Sequence, residues 1–131
     1  ANTQVTGNIA SSYSITAPSS ADFGTMIRGE PRPTSTSSVT YTADIPTDIK
    51  FSLSDSGYMK KVGNTKTLKN LFVVTPNGGS SLTGAGPIIA FPANAVGSSV
   101  AKSLTYTQLV DAADEPGSYA ITVTWTIAPV P

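Results

Sequence analysis

Four lysines, Lys60, Lys61, Lys66 and Lys69, crowd into one stretch beside Tyr58 and Asn64 and form the only basic cluster of the chain. Positive charge next to an aromatic ring suits an anionic glycan or an acidic surface. The plainer reading is a solvated hairpin whose charges keep other strands from adding to its edge. The eight carboxylates are scattered through turns and polar strand positions, and no two are paired for acid–base work. The glycine-rich stretch Gly78–Gly86 has neither the lysine nor the following helix of a phosphate loop, and reads as a flexible loop. Cys and His are both absent, which removes thiolate nucleophiles, imidazole bases and ordinary zinc sites. The expectation is a protein that is not an enzyme, with no catalytic residue, no metal and no cofactor.

Charge narrows the partners. Eight basic residues balance eight acidic ones among 131, so no cationic excess exists for broad contact with a nucleic acid. No apolar run approaches the roughly 20 residues of a spanning helix. Ala1 suits the position after a small-residue cleavage site, so the chain reads as a mature secreted form after signal-peptide removal, extracellular or on the cell surface. None of Asn8, Asn64, Asn70, Asn77 and Asn94 opens an Asn-x-Ser/Thr acceptor.

The elements that must carry these residues are strands. Ser and Thr make up 35 residues, with 11 Gly and 10 Pro, a composition for sheets and turns. Apolar residues alternate with polar ones at Val5–Ala17, Val39–Ile45, Ile49–Leu53, Leu104–Tyr106 and Tyr119–Ile127. Leu71–Val74 and Ile88–Phe91 are short continuous apolar runs, as in strands covered on both faces. Turn residues fall at Pro18–Ser20, Gly29–Pro33, Asp55–Gly57, Asn77–Gly79 and Glu115–Gly117, and only Gln108–Asp114 suits a helical turn. Seven to nine short strands in one undivided chain predict an all-β sandwich.

Asp114–Ile121 resembles the tyrosine corner of immunoglobulin-like sandwiches, with Tyr119 just after a glycine turn at the start of strand F. One long strand is then expected from Tyr119 to about Ala128, followed only by Pro129–Pro131, so no residues are left for a strand G. An open edge beside strand F drives association. The alternating N-terminal stretch has the form to fill it, and Gly7 within it suggests close approach to a bulky neighbour. The rival placement is an ordinary first strand in its own sheet.

The opening Val5-Thr6-Gly7-Asn8-Ile9, the Asp22-Phe23-Gly24-Thr25 and the closing Gly117-Ser118-Tyr119 strand resemble chaperone–usher pilin subunits of the archaic and alternative branches. The resemblance implies an immunoglobulin-like β-sandwich over residues 18–131 that lacks its last strand, completed by a donor strand, residues 1–17, of another subunit. It implies that Val5, Ile9 and Tyr13 are plugs and Gly7 the small position, with Ser11 and Ile15 on the same strand face. Tyr119, Ile121, Val123, Trp125 and Ile127 would line the acceptor groove. The implied function is a fimbria-like fibre of identical subunits joined head to tail, supporting adhesion or biofilm, with an assembly chaperone as a further partner. A weaker resemblance runs through Phe51-Ser52-Leu53 and Trp125-Thr126-Ile127 to WxL-type surface domains that attach to bacterial cell walls. It favours the rival function, a monomeric cell-wall glycan binder using Tyr58 and Lys60 to Lys69.

Overall fold

Alternation becomes a strand where a partner lies beside it. In the computed structural model, which describes residues 1–33 and 37–131, the run from Val39 forms β3 (Ser37–Ala43) and that from Ile49 forms β4 (Thr47–Leu53). Val39, Tyr41, Ala43, Ile49, Phe51 and Leu53 all turn inward and are buried. The protein is all-β, its sheets antiparallel, with no α-helix among the described residues.

One sheet has five strands. The long β8 (Gly97–Leu109) carries β3 and the short β2 (Pro31–Pro33) on one side and β6 (Phe72–Pro76) on the other. Beyond β3 lies β1 (Tyr13–Thr16), with Tyr13 opposite Ala43 and Thr16 opposite Thr40. A second sheet places β4 between β7 (Ile88–Asn94) and β10 (Val123–Pro129), with Trp125 opposite Phe51. A third, two-stranded piece pairs β5 (Lys60–Lys61) with β9 (Tyr119–Ala120). The buried faces of the two larger sheets share one core, in which Val39, Leu104 and Val74 meet Ile49, Phe51 and Trp125. This is the layering of a sandwich.

Two local expectations fail. Gln108 and Leu109 end β8 rather than start a helical turn, and Asp114 folds the following bend by accepting from the backbone N–H groups of Asp111 (2.7 Å) and Lys69 (3.0 Å). The strand expected from Tyr119 to Ala128 is broken at Ile121–Thr122 into β9 and β10. There the Thr122 N–H donates to Ser54 Oγ (2.9 Å) and the Ser54 N–H to the Thr122 carbonyl (3.0 Å), so the chain changes partner from β5 to β4.

Candidate functional site

The second sheet stops at β10, whose outer edge has no partner strand among the described residues. Beside its first residues, Val123–Trp125, runs a groove of about 1140 Å³, and β1 also lies close to β10. Tyr119, Ile121, Val123 and Trp125 form one wall, and the irregular segment Ala17–Met26 forms the other. The floor consists of Met59, Leu68, Phe72 and Tyr106, side chains of the core itself. Phe23 packs edge-on against Phe72 with ring centroids 6.1 Å apart, and Phe72 lies 5.4 Å from Tyr106. Burial pushes the Tyr106 phenol above its ordinary pKa, as expected for a hydroxyl in an apolar setting. The core side chains on the floor offer apolar contact, while Asp22, Arg28, Asp114 and Glu115 also line the groove.

The end of the groove near Tyr119 is held by several local contacts. Tyr119 Oη donates to the Glu115 carbonyl at 2.8 Å, pinning the turn that leads into β9. Gly117 has φ +146, and a Cβ there would come within 2.7 Å of Lys61 Cε, so the lysine stem lies directly across the glycine. The Lys61 ammonium then reaches Glu115 (3.5 Å), which also pairs with Lys66. Pairing with Lys66 first, and with Lys61 after it, holds the Glu115 carboxyl below its usual range, and the same contact raises Lys66.

The proposed acceptor residues therefore converge in part. Tyr119, Ile121, Val123 and Trp125 line the groove, whereas Ile127 is half-buried against the core beyond it. The proposed donor residues divide. Tyr13 and Ile15 belong to β1 and pair with β3, while Val5, Gly7, Ile9 and Ser11 lie outside any strand. Val5 is 89% and Ile9 96% exposed. The basic cluster is largely paired, four lysines facing three carboxylates: Lys60 faces Asp55 (3.6 Å), Lys69 faces Asp111 (3.9 Å), and Lys61 and Lys66 share Glu115. Tyr58 sits beside them, half-buried. Sequence reasoning missed Phe23, Met26, Met59, Leu68 and Val110 as lining, because each lies in a loop or turn with no periodic signal.

The two ends of the molecule differ. Ser12 is clamped to Asp44, its N–H donating to the carboxylate (2.8 Å) while its carbonyl accepts from the Asp44 N–H (3.0 Å). The last residue pair of β10, Pro129 with Thr47, lies at the same pole, where the Val130 N–H donates to the Pro46 carbonyl at 3.1 Å. Residues 1–12 thus emerge at the pole where β10 ends, and the groove opens toward the pole where it begins. No protein-family model matches this chain, and no curated protein is significantly similar to it.

Proposed function

We propose that the protein is a non-catalytic structural subunit of an extracellular fibre, in which the N-terminal segment of one copy completes the groove of the next. The reading rests on one observation: β10 presents an unpaired edge over a groove floored by core side chains. An open edge of this kind is a template for strand addition. Two other edges, those of β7 and β6, are protected, while the outer edge of β1 is open as well. Pro92 interrupts the donors of β7, and β6 is covered by Leu82, which exchanges two backbone hydrogen bonds with Val74 (2.8 and 2.9 Å).

In this reading the sandwich is immunoglobulin-like and lacks its last strand, and the Tyr119–Glu115 bond plays the part of the tyrosine corner. Residues 13–16 are the subunit's own first strand, and the donated part is residues 1–12. Fully extended, twelve residues reach about 40 Å, more than the ~23 Å of the seven-residue β10. Polarity separates the possible donors. A tail entering from a subunit stacked below runs antiparallel to β10, whereas a tail folded back into its own groove would run parallel to it. A head-to-tail contact between unlike surfaces repeats without closing and gives a filament.

Deleting residues 1–12 tests the proposal. Size exclusion and negative-stain microscopy should then show the loss of filaments, and a synthetic peptide of residues 1–12 should raise the melting temperature of the truncated subunit. A truncated protein that keeps its assembly state overturns the proposal.

A further inference from the structure

Asn77 and Gly78 lie exposed in the turn that follows β6. The Gly79 N–H closes this turn by donating to the Pro76 carbonyl at 2.9 Å, and Gly78 has φ +78. The Gly78 N–H itself has no hydrogen-bond partner among the described residues. An asparagine amide is open to attack by the backbone nitrogen that follows it, most of all where that residue is glycine and no Cβ crowds the approach. The five other asparagines lack this combination. Asn64 Oδ1 accepts from the Thr65 N–H (2.7 Å), which occupies the nitrogen that would attack. Asn94 is buried, its amide held by the carbonyls of Thr47 (3.0 Å) and Phe91 (2.8 Å). Asn70 donates to the Leu109 carbonyl (3.4 Å) and is followed by Leu71. Asn2 and Asn8 precede the β-branched Thr3 and Ile9.

We propose that Asn77 is a site of spontaneous covalent modification in the folded protein, its side-chain amide being exchanged for a carboxylate through a cyclic imide. The Gly78 nitrogen bonds to Asn77 Cγ and gives up its proton, and ammonia leaves. Water then adds to one of the two imide carbonyls and breaks that carbon's bond to the Gly78 nitrogen. Opening at Cγ gives aspartate, whereas opening at the main-chain carbonyl gives isoaspartate, with the chain rerouted through Cγ. Closing the ring requires rotation between Asn77 Cα and its carbonyl. That rotation gives up the Gly79–Pro76 bond but keeps the bond from the Asn77 N–H to the Ser103 carbonyl (2.9 Å). The fold therefore protects Asn77 with one exposed backbone hydrogen bond, a factor of about ten at most. The product falls at a joint. This turn returns the chain over the outer edge of β6, where Leu82 exchanges hydrogen bonds with Val74 (2.8 and 2.9 Å) and Ser81 Oγ meets Thr75 Oγ1 (3.1 Å). Isoaspartate adds one carbon to the main chain of the turn, so the two arms no longer match in length and the cover over β6 loosens. No second subunit is needed, so the modification stands or falls apart from the fibre reading.

The test incubates the full chain beside a synthetic peptide of residues 72–82 at mildly alkaline pH and follows both by peptide-mapping mass spectrometry. Asn77 should convert in both, no more than about tenfold more slowly in the folded chain. Conversion should quicken as pH rises, since the attacking nitrogen must lose its proton. Isoelectric focusing should show a new band one charge more acidic than the starting protein, whose formal net charge is zero. Asn77→Gln should keep a single band, because its longer side chain closes a six-membered ring far more slowly, and its site in an exposed turn leaves folding intact. Hydrogen exchange at the Val74 and Leu82 amides should be faster in the isoaspartyl fraction than in an Asn77→Asp variant, which has the charge without the extra carbon. An Asn77 that converts in the peptide but is protected more than about tenfold in the folded chain overturns the proposal. The same acidic band in Asn77→Gln places the chemistry elsewhere and overturns it too, and equal exchange in the two acidic forms refutes the loosened edge.

Discussion

Replacing Val5 and Ile9 by Asp separates the joint from the fold. Both side chains are almost fully exposed in the subunit, at 89% and 96%. Surface substitutions of this kind shift folding stability by about 0.5 kcal/mol or less. The melting temperature of the isolated subunit should therefore change by no more than a few degrees. In the proposed joint the same side chains would enter a groove floored by Met59, Leu68 and Phe72. Full burial of a Val or Ile is worth about 1.5–3 kcal/mol, so losing both removes ~3–6 kcal/mol. A tenfold change in equilibrium constant corresponds to ~1.4 kcal/mol, so the joint should weaken by about 10²- to 10⁴-fold. Burying two carboxylates in an apolar groove weakens it further. Differential scanning calorimetry of the subunit and sedimentation of assembled material measure the two effects on one preparation. Unchanged assembly by the double variant would show that neither residue enters the groove. A large drop in subunit stability would show that the tail already packs at home.

Other positions carry their own expectations. Trp125→Ala removes a 9% exposed ring tilted at 50° to Phe51, with centroids 5.4 Å apart, and should cost about 3–5 kcal/mol in urea unfolding, with fibre formation lost as well. Gly86 has φ +84, and a Cβ there would lie 2.6 Å from the Phe51 carbonyl oxygen. Gly86→Ala should therefore destabilise by at least ~2 kcal/mol, read as a lower urea midpoint. The Glu115 carboxyl, held low by Lys66, should titrate by NMR below an ordinary glutamate, and Lys66→Gln should move its midpoint upward. Since its folded pKa is depressed, whatever stability the pairing contributes is present above the ordinary glutamate value and lost as pH falls through the folded one. The raised Lys66 has the opposite sense, losing its share as pH rises through its folded value.

Much of the fold was legible because burial imposes a period of two. The alternating runs from Val39 and Ile49 and the later part of the Tyr119–Ile127 run coincide with β3, β4 and β10, whose inward residues are those the alternation marked. The continuous runs at Leu71–Val74 and Ile88–Phe91 supply β6 and β7, but β7 is not covered on both faces, since Ile89 is 45% exposed. The pair β5–β9 was not legible, because Lys60 and Lys61 carry no apolar signal and the pairing depends on β9 arriving from sixty residues away. At the N-terminus the same alternation continues from Val5 to Ile15, yet only Tyr13–Thr16 forms a strand. A pattern reports fitness for a pleated surface but not where the partner is. For the groove, the β-face of Tyr119–Trp125 could be read from alternation, whereas Phe23, Met59 and Leu68 reach it from loops whose path only the tertiary fold decides.

The clamp between Ser12 and Asp44 sets how a filament would carry load. Tension pulling on the tail enters the subunit at Ser12 and acts along the axis of β1, whose hydrogen bonds to β3 lie across that axis. The ladder is then strained in shear, with all of its rungs resisting together, instead of being peeled one rung at a time. A donated segment lying antiparallel along β10 is strained in the same geometry. In a thread built by such donation, tail and joint would both be loaded in shear, so that neither is the weak link by geometry alone.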